Sequence, residues 1–417
     1  MAAPTNQRTQ TALATIPLGK HHLRPPYFAE TGPPMKIAIV HSYYSSVTPS
    51  GENIVVDMQA AALTEAGHDV KVVALRTDEL RNRPFYKARA SLNVASGLGA
   101  SPLKELKKFR PDIVHVHNLF PNFSTRWLKK WRGPVVATMH NFRPICSNGL
   151  MFRDGHQCSL CPEQGHHNAV VHACYRDSRL ATLPIAIRNR NGVAGDPLFS
   201  RAQELIVLSE RSRSTYKKFG ANASNLTVVP NFINPPTFSN VVGQDRSTWI
   251  YAGRLNVEKG IVDLLQRWPR NERLIVAGTG NLENKVQEMA KQMKNVTFVG
   301  PIPREQLLSL ICNAKGVVIP SLCAENLPTI YLEALTAGTP VIARRGNSAA
   351  DDIDTWAPGL TYNNTQQLHE AIEQATQNHQ DLSIGARQRF RDQYTKATWL
   401  RNIEAIYQDA FNRLPHK

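Results

Sequence analysis

Short apolar runs alternate with longer amphipathic ones along this chain, the alternation breaks once, and then it begins again. That pattern restricts the fold more than any other feature. In the first half it predicts strands over 36–41, 69–75, 113–117, 135–140, 204–208 and 227–229, with helices over 52–66, 103–109 and 209–219 among them. After the Pro-, Asn- and Ser-rich stretch PNFINPPTFSNVVGQDRS the pattern restarts, with strands over 249–252, 273–277, 296–299 and 316–319 and another from Val341. Helices over 260–268 and 282–293 separate them. Strands that alternate with helices build a parallel sheet covered on both faces, so the expected class is α/β, with two Rossmann-like doubly wound domains facing across a cleft. In such sheets ligands bind outside the carboxyl ends of the strands, which makes the cleft the expected site. The expected divisions are a disordered extension at 1–34, a first domain at 35–240 with an insert at 141–180, a second domain at 245–394, and a closing segment at 395–417 that crosses back to the first.

A chain of 417 residues is too long for one ordinary core and fits two domains. No apolar run reaches the roughly 18 residues a membrane span needs. Residues 1–34 hold Gln, Thr, His and several Pro without an apolar signal core, and read as a disordered extension or as an upstream start with Met35 the true initiator. Without an export signal the expected location is the cytoplasm, with peripheral attachment to the inner membrane face, and the six cysteines are expected to be reduced. The formal charge of +16 is uneven: residues 35–240 hold 26 Lys and Arg against 14 Asp and Glu, leaving +12. That half seeks anions, such as an anionic membrane surface or a lipid diphosphate. No helix-turn-helix, finger or RNA-binding signature accompanies the charge, so nucleic acid is not an expected partner.

The stretch richest in chemistry is GVVIPSLCAENLPTIYLEALTAGTPVIA, with Glu325 and Glu333 eight positions apart. Pro328 suits a first helical residue and Gly338 with Pro340 a stop, so Glu325 falls on the loop and Glu333 more than one turn into the helix. The helix start offers free N–H groups and a positive dipole end to an anion, while a carboxylate beside phosphates can only accept hydrogen bonds from sugar or ribose hydroxyls. The plainer alternative makes Glu325 a capping acid and Glu333 a solvated helix residue. Upstream, WIYAGRLNVEKGIVDLL sets Arg254 and Lys259 between a strand end and a helix start, where two cations can neutralise a departing nucleoside diphosphate without a metal. Glu258 is placed to pair with one of them, and a solvated charged loop is the alternative. Gly278 and Gly280 in LIVAGTGNLE allow close backbone approach to a ligand. On the other side Ser50 and Gly51, in HSYYSSVTPSGENIVVDM, suit a tight turn with an N–H array at a helix start, or a simple helix-entry turn. His140 in VVATMHNFRP is expected to point from a carboxyl edge into the cleft, against a buried structural role; His115 and His117 are expected to pack. The Asp351-Asp352-Ile353-Asp354 run reads as a solvated helix start rather than a metal set.

Together GRLNVEKG, the Glu325-x7-Glu333 spacing and the SLCAENLPTIYLEALTAGTPVIA frame resemble the GT-B glycosyltransferases of family 4, from about Met35 to the last helix. The resemblance implies a retaining, metal-independent transferase with a nucleotide-sugar donor and a polysaccharide or lipid-linked acceptor. It implies Glu325 near the donor sugar, Glu333 on the ribose, Arg254 and Lys259 on the diphosphate, His140 at the reacting centre, and the Gly51 loop beside donor and acceptor. Many members carry two glycines in that loop where this chain has Ser50-Gly51. The resemblance also implies front-side attack, in which the leaving phosphate oxygen takes the acceptor proton and no further cofactor is required. A non-catalytic nucleotide-sugar binder is the rival of another class, disfavoured by the intact Arg254, Lys259, Glu325 and Glu333 set; a GT-B epimerase or phosphorylase is the rival among enzymes.

Two local features stand apart. Cys146, Cys158, Cys161 and Cys174 follow a C-x11-C-x2-C-x12-C spacing compatible with a structural tetrahedral zinc, with disulfides or free packed thiols as alternatives. In NFSTRWLKKWRG, Trp127 and Trp131 lie four apart among Arg126, Lys129, Lys130 and Arg132, a pairing that suits a membrane interface or a core-facing Trp pair under a solvated basic face.

Overall fold

A computed structural model describes residues 33–44, 51–235 and 246–413, so Ser50, residues 1–32 and the linker's residues 236–245 lie outside the described residues. The first lobe is one six-stranded sheet in the order β2-β1-β3-β4-β7-β8, formed by β1 (Lys36–Tyr43), β2 (Asp69–Arg76), β3 (Ile113–Asn118), β4 (Val135–Met139), β7 (Glu204–Val207) and β8 (Leu226–Val228). A small antiparallel hairpin, β5 (Phe152–Arg153) and β6 (His156–Gln157), lies in the insert between β4 and β7. The second lobe orders its strands β11-β10-β9-β12-β13-β14, from β9 (Thr248–Ala252), β10 (Arg273–Ala277), β11 (Val296–Gly300), β12 (Gly316–Ile319), β13 (Val341–Arg344) and β14 (Gly359–Tyr362). Every ladder in both large sheets is parallel. The inner strands β4, β7 and β12 are buried along their whole length, because helices cover both faces, and that is why they read as unbroken apolar runs.

The strand orders fix where a ligand can sit. In the first sheet the order reverses between β1 and β3, and in the second between β9 and β12, and such reversals open a crevice beyond the carboxyl ends. Both crevices open into the same gap between the lobes. The helix Lys396–Asn412 lies on the first sheet although it follows the second in sequence: Trp399, Ile403 and Tyr407 are buried with Ile37, Ile39, Ile113 and Val136. Polar contacts also join the lobes. Arg211 donates two 2.6 Å hydrogen bonds to Asp351, Ser212 Oγ donates to Asn326 Oδ1 at 2.8 Å, and Gln157 on the insert hairpin donates to the Gly346 carbonyl at 2.7 Å.

Two local expectations change, and one pair of alternatives is decided. Pro328 is the extended residue before the helix Thr329–Ala337 rather than its first turn, though Gly338 ends that helix in a left-handed conformation as expected. The Asp351, Asp352 and Asp354 carboxylates are each ion-paired, with Arg211, Arg389 and Arg345 respectively; Asp352 is mostly buried, while Asp351 and Asp354 stay 41% and 43% exposed. Their helix, Ser348–Trp356, is started by the Asn347 side chain, which accepts from Ala349 and Ala350 N–H. Trp127 is 2% exposed and buried with Leu128 in the first lobe's core, half-buried Trp131 packs against the same cluster, and Arg126, Lys129, Lys130 and Arg132 are exposed, so the core-facing alternative holds for this pair.

Candidate functional site

The gap between the lobes holds a cavity of about 310 Å³. From the second lobe Arg254, Lys259 and Glu325 line it, and from the first Gly51, Glu52 and His140. The helix Gly51–Glu65 of the first lobe and the helix Thr329–Ala337 of the second begin side by side on the cavity lining: a Cβ placed on Gly51 would stand 3.7 Å from Thr329 Oγ1. Two helix starts with their free N–H groups and positive dipole ends thus border one space, which favours an anion there.

Lys259 Nζ lies 2.7 Å from Glu325 Oε2, with the two side chains 20% and 10% exposed. Ser321 Oγ donates to the other oxygen of Glu325. Arg254 is more open and lies 3.5 Å from the buried Glu258 carboxylate, which also accepts from Asn256. The Glu258 carbonyl in turn accepts from Leu322 and Cys323 N–H, which ties the Arg254 loop to the Glu325 loop. Gly260 permits this closeness, since a Cβ there would fall 2.1 Å from the Pro320 carbonyl oxygen and its φ is +70°.

Glu333 does not line that cavity. It is buried on the helix Thr329–Ala337 with Arg304 Nη2 at 3.3 Å, and burial pushes its carboxyl upward while Arg304 pulls it back. Gly278 and Gly280 face neighbouring backbone. A Cβ on Gly278, whose φ is +135°, would stand 1.9 Å from the Gly253 oxygen, and one on Gly280 2.6 Å from the Leu255 oxygen. These glycines let two strand-end loops stack, and so hold the Arg254 loop in place. Gly278→Ala is expected to cost at least about 2 kcal/mol in denaturant unfolding, from strain plus clash. Gly220→Ala, at φ +97° with nothing within 4 Å, should cost clearly less; equal costs would remove the packing argument.

His140, at the end of β4, belongs to a column of imidazoles contributed by adjacent strands. Its Nε2 is 2.9 Å from His117 Nδ1, the two rings stack at 5.2 Å, and His115 lies 4.1 Å from His117 on the other side. His115 contacts Tyr407 Oη at 2.7 Å and Thr138 Oγ1 at 2.8 Å, so the crossing helix closes the column. Burial holds His41 down at about 4 and His115 and His140 at about 3, so the column is neutral near pH 7. His140 thus offers hydrogen bonding without charge.

Glu52 and His41 are functional candidates that the sequence reading passed over. Glu52 Oε1 is buried with no hydrogen-bond partner among the described residues, and the nearest cation-capable atom is His41 Nδ1 at 4.0 Å, equally without one. Burial pushes the Glu52 carboxyl up to about 7, against the pull of Arg143 and a hydrogen bond from Asn118. An acid in the first turn of a helix ordinarily reads as a partner of the helix dipole, which hid it. For His41 a signal existed: His41, His115, His117 and His140 all lie near the carboxyl ends of strands, and only the strand order shows them to be neighbours.

The four insert cysteines are free thiols. Cys161 is pushed up to about 12 and Cys174 to about 11, by burial first and then by the neighbouring thiols. Among the described residues no group of three or more His, Cys, Asp or Glu stands ready to hold a metal ion. No helix among them is long and apolar enough to cross a membrane.

Comparison with known proteins agrees with this architecture. The family described as Glycosyltransferase Family 4 matches residues 49–236, and that described as Glycosyl transferases group 1 matches residues 237–396. The chain is 23% identical over 353 residues to the glycogen synthase of Mycobacterium tuberculosis, covering 74% of this chain and 77% of that one. In structure it resembles the sucrose-phosphate synthase of Thermosynechococcus elongatus with a TM-score of 0.66 and 19% identity, over 91% of this chain and 99% of the other. It also resembles the Anabaena protein HepE in complex with UDP-glucose, with a TM-score of 0.58 and 15% identity, over 90% and 100%.

Proposed function

The chain belongs to the group 1 glycosyltransferases of family 4, and on that premise we propose that it moves a hexosyl or related residue from a nucleotide sugar to a polysaccharide or glycolipid acceptor, retaining the anomeric configuration and using no catalytic metal. The observation that carries this reading is the convergence of Arg254, Lys259 and two helix starts on one cavity between the lobes. The donor's diphosphate is already anionic, and as it departs with the bonding electron pair it gains further negative charge, which preorganised cations and N–H groups stabilise more than they do the ground state. Lys259 exchanges Glu325 for a phosphate oxygen, which frees Glu325 to accept hydrogen bonds from donor-sugar hydroxyls. Glu333, paired with Arg304, receives the ribose, and neutral His140 meets the sugar at the reacting carbon. The acceptor oxygen attacks the anomeric carbon on the face the diphosphate leaves; the departing phosphate oxygen takes both the bonding electron pair and the acceptor proton. A structural neighbour in complex with UDP-glucose supports a nucleotide-sugar donor.

The test is a panel of nucleotide sugars screened by ligand-induced thermal shift, followed by transfer assays in chelator with the product anomer read by NMR. Retained configuration with undiminished rate is expected. Inversion, or turnover only with orthophosphate, would replace this reading with another.

For the insert we propose one structural zinc. Cys158 follows the β5–β6 hairpin and Cys161 opens the helix Leu160–Gln164, so the C-x2-C pair sits on a turn, and Cys161 and Cys174 are held protonated by burial first and then by neighbouring thiols, a cost that a cation would relieve once the four thiols close around it. Metal analysis is expected to find about one zinc per chain, lost in Cys161→Ser. Zinc-free protein whose melting is indifferent to chelators would discard the site.

A further inference from the structure

The first lobe carries a surface that neither the core nor the cleft uses. The helix Arg179–Asn189 buries Thr182, Ile185 and Ala186 but turns Leu180, Leu183 and Ile187 outward, 83%, 44% and 37% exposed. Spacings of three and four place them on one stripe. The helix Tyr86–Ser96 packs beside it, with Val94 and Ile185 in one buried cluster, and shows the same division: Phe85, immediately before it, is 82% exposed and Leu92 is 61% exposed. Lone exposed apolar residues need no explanation, but five on two touching helices make a patch.

The rim of this patch is basic. Residues 81–98 hold four Lys and Arg and no acid, and residues 176–190 hold four Arg against the single Asp177. Arg83 and Lys87 lie beside one stripe and Arg89 within it, between Phe85 and Leu92; Arg176 and Arg179 lie at the start and Arg190 at the end of the other, and all six are exposed. An apolar stripe edged by cations matches a lipid interface, where acyl chains take the Leu and Phe side chains and acidic headgroups take the Arg and Lys. A second copy docked through this face would press one basic rim against another, which disfavours self-association.

We propose that this two-helix face docks the protein on an anionic lipid bilayer. Its position fits the acceptor side of the cleft: Arg188 of the same helix lines a second cavity with Arg143 and His140, and Arg143 stacks over Phe120 at 4.4 Å and over Tyr175 at 5.5 Å. A lipid-linked acceptor held at the bilayer would present its sugar there. Only that last step rests on the proposed transferase reading, since docking itself needs no turnover.

The experiment is co-sedimentation of the full chain with vesicles of phosphatidylcholine alone and with vesicles rich in phosphatidylglycerol. Binding is expected only to the anionic vesicles. Phe85→Ser with Leu180→Ser, and separately Arg83→Glu with Arg89→Glu, are each expected to weaken it at least about tenfold while donor hydrolysis stays unchanged. All four side chains are exposed, so folding is not at stake. Absent binding, equal binding to neutral vesicles, unaltered binding by both double variants, or variants that change the oligomeric mass instead would each overturn the proposal. Loss of turnover with vesicle binding intact would count against the transferase reading and leave this one standing.

Discussion

Lys259→Ala is expected to slow sugar transfer at least about a hundredfold, the loss that follows when one preorganised stabiliser of developing charge is removed. The substitution is not silent in the resting protein. Lys259 and Glu325 form a mostly buried pair, and removing the cation leaves a carboxylate held by Ser321 alone, so stability should fall by about 1 to 3 kcal/mol. Lys259→Met combined with Glu325→Gln removes both charges and should recover much of that stability without recovering turnover. Arg254→Ala offers a cleaner reading of charge, because Arg254 is 61% exposed and its pair with Glu258 is loose. It should cost less than about 0.5 kcal/mol of stability while still slowing transfer. Wild-type kinetics in Lys259→Ala would take Lys259 out of the diphosphate site.

Glu52→Gln is expected to stabilise the ligand-free protein at about pH 8 and to leave it nearly unchanged below about pH 4. The sign follows from burial: the folded carboxyl is raised from 4.5 to about 7, so between those values the folded state keeps a proton that the unfolded chain has released. Stability from this group is complete below 4.5 and is lost as pH rises through 7; glutamine, which never ionises, removes the loss, on the order of 2 to 3 kcal/mol. The histidines act in the opposite sense, since His41, His115 and His140 stay neutral when folded and cost stability as pH falls below 6.5. That cost is common to both proteins and cancels in the comparison. Melting temperatures of the two proteins across pH read the difference, and parallel curves would show that Glu52 titrates normally. A buried acid facing the cavity with an unsatisfied oxygen is the kind of group a protein keeps for use, so the same variant should also transfer more slowly.

The double α/β architecture was legible because β4, β7 and β12 are covered on both faces and so appear as bare apolar runs. The edge strand β14, GLTY, mixes buried and half-buried residues and carries no such signal. The β5–β6 hairpin had one: Asp154 and Gly155 both take positive φ, the requirement of a two-residue turn, but the surrounding cysteines drew the reading toward metal chemistry. Site residues divide on the same principle. Arg254, Lys259 and Glu325 sit on loops fixed by their own strands and helices, and short sequence windows suffice to place them near a strand end. Glu333 finds Arg304, and His140 finds His117, across distances in sequence that only strand order bridges. Gly278 and Gly280 show a limit of another kind, because their closest approach is to Gly253 and Leu255, and a loop glycine alone does not say what it makes room for.

The most direct test of the account is a structure of the protein with a nucleoside-diphosphate sugar bound. The pyrophosphate is expected in the cavity bordered by the starts of the helices Gly51–Glu65 and Thr329–Ala337, in contact with Arg254 and Lys259, with Lys259 turned away from Glu325. A nucleotide bound anywhere else, or a diphosphate in that gap with the Lys259–Glu325 pair unbroken and Arg254 uninvolved, would contradict it.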